Sequence, residues 1–331
     1  MELLFSIIIP ACDAEQYLER AVESIVHNKE KNYEIIIVEN GSVDNTLQIA
    51  YKLEKKYSCI RVYQSLKGVS NARNMGIEKS VGKWICFMDA DDKAAPNLIK
   101  KYINATKESL AQLIIFSYKK NDHQIGLQRN IKAKEQIICR VLESPTRFSA
   151  VWAKLFDREF LEKFKIKFDP DLVLSEDSVF LLEYMLKAEK IEINSECVYE
   201  YCLHCDSVTR KFDGTKETSY IKALESIKDI IEKEGEWINK SYNVYTTMQL
   251  NLIMVKEVFA RENRLGFWKR IAYLKQVSNR TIFQRAIQNI RLRECKSVGM
   301  IPILFIKLHF YLGAATIYYL RVISNRRGAL K

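Results

Sequence analysis

Four short apolar runs, each followed by a stretch of helical period, dominate the first third of the chain. The runs are 5–9, 34–38, 59–63 and 84–88. After the first, Tyr17, Leu18, Ala21, Val22, Ile25 and Val26 recur on one helical face. After the second, Leu47, Ala50, Leu53 and Tyr57 do the same. Residues 70–80 read as a third helix, 97–110 as a fourth, and 113–117 as one more strand. Strands that are apolar throughout have no solvent face, so this alternation predicts a mostly parallel sheet covered by helices on both sides. Ligands of such sheets sit beyond the carboxyl ends of the strands. Those ends carry residues 10–13, 39–44, 65–74 and 89–92, where the polar side chains gather.

The 331 residues are 48% apolar and 28% charged, enough to bury one large core or two modest ones. With only 11 Gly and 5 Pro, collagen-like and mucin-like classes are excluded. The net charge of +11 is concentrated: residues 261–331 hold 15 Lys and Arg against 2 Asp and Glu, and the remainder is near neutral. Of the 8 cysteines, Cys86 lies inside an apolar run and reads as a small buried hydrophobe. The opening Met1-Glu2 lacks the basic start of a signal peptide, so reduced thiols in the cytoplasm are expected. From residue 218 the pattern is largely helical. Residues 298–323 are strongly apolar but contain Pro302, Lys307, His309 and Arg321. Those charges favour a helix lying on a membrane surface, or packed on the protein, over one that spans. The organisation expected is a first half-domain over 1–115, a second over 116–215, and a basic helical region over 216–331.

Asp89, Asp91 and Asp92 end an apolar run. Alternate residues of an extended chain point the same way, so Asp89 and Asp91 can face one ligand, and their hard oxygens suit Mg²⁺ or Mn²⁺. The plain alternative makes Asp92 the cap of a helix starting near Pro96. Arg73, in the segment 68–74, carries a permanent charge suited to phosphate, yet in isolation reads as a solvated helix residue. Glu176 and Asp177 stand at a helix start, where exposed amide groups favour carboxylates. Residues 13–16 fit a capping box with Asp13 as N-cap. Cys197, Cys202, His204 and Cys205 superficially suggest zinc, but no further ligand pair stands at a suitable spacing. The chain has no Gly-x-x-x-x-Gly-Lys-Ser/Thr loop and no Gly-x-Gly-x-x-Gly after a strand, which removes the main support for ATPase and dinucleotide functions.

Taken in order, FSIIIP (5–10), EIIIVENGSVDNT (34–46), GVSNARNMGI (68–77), FMDADD (87–92), VWAKLF (151–156), IKFDPDLVLSEDSVF (166–180) and YEYCLHCDSVTR (199–210) resemble glycosyltransferase family 2. These are inverting nucleotide-sugar transferases of GT-A fold, and the likeness is to bacterial enzymes that build capsule, exopolysaccharide or related surface glycans. The sequence departs from the family pattern in two places. Ala11-Cys12-Asp13 follows Pro10, and the second turn opens with Glu39-Asn40 rather than a pair of aspartates.

The resemblance implies an α/β GT-A fold with a helical C-terminal extension. It implies nucleotide contacts from Pro10, Ala11, Cys12, Asp13, Glu39, Asn40, Arg73, Asp89 and Ala90. Asp91 with Asp89 would hold Mn²⁺ or Mg²⁺, and Ser207 and Thr209 would meet the donor diphosphate. Trp152 and Lys154 would face the acceptor. Asp177 would act as the base, with Glu176 beside it. The expected partners are a nucleotide-sugar donor, a UDP-sugar first among them, and a glycan or lipid-linked glycan acceptor. The basic C-terminal region adds an anionic membrane surface, placing the chain peripherally on the inner face of the cell membrane. A catalytically inactive nucleotide-sugar binder is one alternative. A basic nucleic-acid-binding protein is another; it accounts for the tail but leaves the acidic strand end and Glu176-Asp177 without purpose, so no nucleic acid is expected.

Overall fold

The computed structural model describes residues 3–203, 216–291 and 298–329. They fall into two compact units, Met1–Ile138 with Arg147–His204, and Cys139–Thr146 with Cys205–Lys331.

In the first unit, β1 (Phe5–Ala11), β2 (Tyr33–Glu39), β3 (Ile60–Gln64) and β4 (Trp84–Phe87) lie parallel in the order β3-β2-β1-β4. The intervening helices are α1 (Leu18–Val26), α2 (Thr46–Lys56) and α3 (Val69–Lys79). Period-two alternation sends Ile7, Ile9, Ile35 and Ile37 into the large core shared with Leu18, Val22, Ala50 and Leu53. Ile36 and Val38 point the other way and pack on Ala72 of α3. Both faces are therefore buried, as the continuous apolar runs require. Gly76 permits the close seat of α3 on β1, since a Cβ there would stand 2.3 Å from Ile8 Cγ2.

Beyond β4 come β5 (Lys93–Ala94), α4 (Leu98–Thr106), β6 (Leu113–Lys120) and β7 (His123–Ile125), then α5 (Lys134–Glu143) and α6 (Pro145–Phe148). After them follow β8 (Lys154–Asp157), α7 (Arg158–Phe164), α8 (Glu176–Lys187) and β9 (Ile191–Tyr201). Late in sequence, β8 inserts between β4 and β6, antiparallel to both. β9 runs parallel to β6, and β5 pairs antiparallel with β9. The sheet is thus parallel across its first four strands and mixed beyond them.

Three local expectations are corrected. The capping box at Asp13 does not form: α1 starts at Leu18 with no side-chain cap, and the Asp13 carboxylate instead accepts from Val43 N–H at 2.8 Å. Asp92 does not cap α4, whose N-cap position is held by Asn97 in a left-handed conformation. Arg73 is not solvated but 4% exposed.

The second unit is helical: α9 (Lys216–Ile231), α10 (Asn239–Ile253), α11 (Phe267–Ser278), α12 (Thr281–Asn289), α13 (Ile301–Lys307) and α14 (Tyr311–Ala329). The apolar stretch at 298–323 is broken between α13 and α14 at His309, which takes φ 57°. Among the described residues no helix is long and apolar enough to cross a membrane.

Candidate active site

Parallel pairing puts the carboxyl ends of β1 to β4 on one edge of the sheet, and the first two turns there are stitched into one surface. Glu39 Oε1 accepts from Gly41 N–H at 2.7 Å and Ser42 N–H at 2.5 Å, while Oε2 accepts from Gln64 Nε2 at 3.2 Å. These donors hold the Glu39 carboxyl below the usual range despite its burial. Asp13 N–H donates to Ser42 Oγ, and Ala14 N–H to Thr46 Oγ1. Asn40 is buried, and its Oδ1 has no hydrogen-bond partner among the described residues. Pro10 and Ala11 are buried in β1, whereas Cys12 is exposed beyond it, with partial desolvation and then the Asp13 charge pushing its thiol up.

Past β4, the carboxylate oxygens of Asp89, Asp91 and Asp92 lie within 4.8 Å of one another. Asp92 is committed to the fold: its Oδ2 accepts from Tyr199 Oη at 2.5 Å and its Oδ1 from Cys202 N–H at 2.7 Å. Tyr199 Oη in turn accepts from Asp89 N–H at 3.2 Å. Burial, and then repulsion from Asp89, pushes Asp92 up to about 8. Ala90 is buried between these aspartates, and Arg20 binds the Asp91 carbonyl at 2.7 Å. A hard divalent cation fits this donor set: the Asp89 and Asp91 carboxylate oxygens converge, with Asp92 held beside them by its own hydrogen bonds.

Arg73 gathers the remaining groups. Leaving the second turn of α3, its Nη1 donates to Asp177 Oδ1 at 2.6 Å and Glu176 Oε1 at 3.0 Å, and its Nη2 stands 3.5 Å from Asp89 Oδ1. Its guanidinium carbon lies 5.2 Å from the Phe168 ring centroid, and Phe168 stacks on Phe180 of α8. Burial opposes the charge, but three carboxylates more than compensate and raise the Arg73 pKa above its ordinary value. Burial and then the Asp177 charge push Glu176 up to about 7, against the pull of Arg73. Burial pushes Asp89 up to about 6; Arg73 opposes this, and Asp177 and Asp91 add to it.

Trp152 and Lys154 approach from the other half of the sheet. Trp152 is buried, stacked on Tyr199 with centroids 4.6 Å apart and 6° between planes. Ala153 takes φ 54°, and Lys154 is buried with Nζ donating to the Ala150 carbonyl at 2.6 Å. Burial pulls the Lys154 amine down to about 7, only partly opposed by Asp177. Ser207 and Thr209 lie outside the described residues, as do His204 and Cys205 of the superficial zinc pattern.

One edge thus brings together Asp89, Asp91, Arg73, Glu176 and Asp177. Tyr199 and Phe168, which position the aspartates and the guanidinium, were not singled out by sequence reasoning; both lie inside segments whose signal came from their charged neighbours.

A mixed sheet flanked by helices, parallel across its first four strands and ending in an aspartate cluster, has the GT-A fold seen in solved glycosyltransferases. Residues 6–165 match the family model "Glycosyl transferase family 2", and the chain carries a glycosyltransferase family 2 domain. Among similar proteins, EpsJ of Bacillus subtilis (strain 168), an uncharacterized glycosyltransferase, is 29% identical over 221 residues, 62% of this chain and 63% of EpsJ. The chain thus spans less than two thirds of that relative. YibD of Escherichia coli (strain K12), also an uncharacterized glycosyltransferase, is 28% identical over 301 residues, 86% of this chain and 87% of YibD. Among solved structures, S. aureus TarS 1–349 in complex with UDP-GlcNAc superposes with TM-score 0.67 at 20% identity, covering 98% of this chain and 92% of that one. That likeness is one of fold.

Proposed function

We propose that this protein is an inverting, metal-dependent glycosyltransferase that moves a sugar from a UDP-sugar to a glycan or lipid-linked glycan acceptor in bacterial surface-polysaccharide synthesis. The observation that carries the proposal is the bridge from Asp89 through Arg73 to Asp177, which sets a donor-side carboxylate and a candidate base in one cleft. The TarS structure with UDP-GlcNAc supports the choice of donor.

Asp177 takes the proton of the acceptor hydroxyl as that oxygen forms its bond to the anomeric carbon. The bond from that carbon to the diphosphate breaks on the opposite face, its electron pair leaves with the nucleoside diphosphate, and the configuration inverts. General-base help of this kind contributes about 10²–10⁴-fold in rate. Arg73 orients Asp177 and adds positive charge beside Asp89. Asp89 and Asp91 would hold Mn²⁺ or Mg²⁺, since both oxygens of Asp92 already accept hydrogen bonds. Held there, such an ion would supply Lewis-acid stabilisation to the departing diphosphate.

The turns around Cys12–Asp13 and Glu39–Asn40 receive the nucleobase, and Ser207 and Thr209 the diphosphate. Trp152 and Lys154 border the acceptor. The basic C-terminal region holds the enzyme on the cytoplasmic face of the membrane, where a lipid-linked acceptor is presented. Screening nucleotide-sugars for hydrolysis and transfer, with and without chelator, tests the proposal. Chelator-sensitive turnover of one UDP-sugar is expected, and inert behaviour toward every donor overturns it.

A further inference from the structure

Helix α14 is apolar on two sides. Ala314, Ala315 and Tyr318 are fully buried. Leu312, Thr316, Tyr319, Leu320 and Ile323 fall on a second stripe of helical period, and all of them are exposed, Leu320 to 58%. Helix α11 runs antiparallel beside it. The Phe267 ring lies 6.1 Å from that of Tyr319, and Lys275 Nζ lies 5.9 Å from the Tyr311 ring centroid. Trp268, 73% exposed, follows Phe267 on α11, and its ring lies 5.8 Å from the Phe267 ring that in turn faces Tyr319. Leu308, 71% exposed, stands just before α14 at the other end. An apolar patch this continuous marks an interaction surface rather than scattered surface residues.

Charge selects the partner. Arg264, Lys269 and Lys275 are exposed on and before α11, and residues 261–331 hold 15 basic against 2 acidic side chains. A second copy would bring the same positive field and be repelled, whereas an anionic bilayer is attracted. We infer that the outward stripe of α14, together with Trp268, inserts into the headgroup–acyl boundary of an anionic membrane, with α14 lying in its plane. The inference rests on the peripheral attachment stated above and adds apolar insertion to it. Positive charge draws the unit down, and buried apolar side chains make the contact persist when salt screens the charge.

The test is flotation of the full chain with vesicles of phosphatidylcholine alone or mixed with phosphatidylglycerol. The wild type is expected to float with the anionic vesicles only, and to remain partly bound at about 0.5 M salt, where screening is nearly complete. Leu312→Ser, Leu320→Ser and Ile323→Ser combined should weaken binding about tenfold or more and abolish the salt-resistant fraction. Because these side chains are exposed, the melting temperature should be unchanged. Independently, brominated acyl chains should quench wild-type fluorescence, and Trp268→Leu should lose that quenching.

Wild-type binding by the triple variant, or no difference in quenching, overturns insertion while leaving electrostatic attachment intact. No binding of the wild type to anionic vesicles overturns both. A wild-type dimer that the triple variant dissolves, without vesicle binding, assigns the stripe to a second copy and overturns the inference.

Discussion

The Arg73 guanidinium donates to the Asp177 carboxylate at 2.6 Å, although 104 residues separate the two in sequence. One helix of the parallel half and one of the mixed half are thereby joined through a buried ion pair. Glu176 and Asp89 share the same cation, so its removal leaves three carboxylates facing one another. Breaking a buried pair by deleting one partner costs roughly 3–5 kcal/mol. Arg73→Met is therefore expected to lower stability by that order and to abolish transfer. Adding Glu176→Gln should restore part of the stability and none of the activity, as read by denaturant unfolding and a transfer assay. Equal stability of the single and double variants would refute the shared-cation arrangement.

Asp177→Asn keeps the shape of the side chain and its acceptor oxygen but cannot take a proton. Donor binding should be retained while transfer falls by about 10²–10⁴-fold. Calorimetric titration of the nucleotide-sugar beside turnover measurement separates the two, and near-normal turnover removes Asp177 from the role of base.

Asp91 and Asp92 differ in what they are bonded to. Asp91→Ala should abolish the metal dependence of nucleotide binding, visible as titration curves that no longer separate with and without Mn²⁺. Tyr199→Phe acts on the fold instead. It removes a donor to Asp92 and an acceptor for Asp89 N–H, and should cost about 1–3 kcal/mol.

Lys154 makes stability depend on pH in the alkaline range. Unfolded, its amine keeps a proton to about 10.5; folded, burial lowers that value to about 7. Between those values the unfolded chain binds more protons, so native stability rises with pH across that window. Lys154→Met should be more stable than wild type by up to about 5 kcal/mol near pH 6, with the advantage fading toward pH 10. Parallel stability curves for the two proteins would contradict this.

The strands of the parallel half were legible because β1, β2 and β4 are apolar on both faces, a pattern that local reading detects. Asp13 was misread because a tertiary donor, Val43 N–H, outcompeted the helix start for its carboxylate. Arg73 looked solvated because helical periodicity carries no information about partners on other helices. Only the family resemblance tied it to the donor, and only the structure shows its contacts with Glu176 and Asp177. The insertion of β8 was invisible for the same reason, since four residues of ordinary composition do not announce which strands they separate. The two-sided character of α14 escaped notice because a helix apolar on two sides has no single dominant face for a periodicity argument to find.

The position of β8 has a consequence for the edges of the sheet. Without residues 154–157, β4 would pair with β1 on one side and leave unpaired amides and carbonyls on the other. The open border of β4 is therefore closed by backbone about 70 residues further along the chain, so the edge protection of the parallel half is supplied by the second half of the sheet.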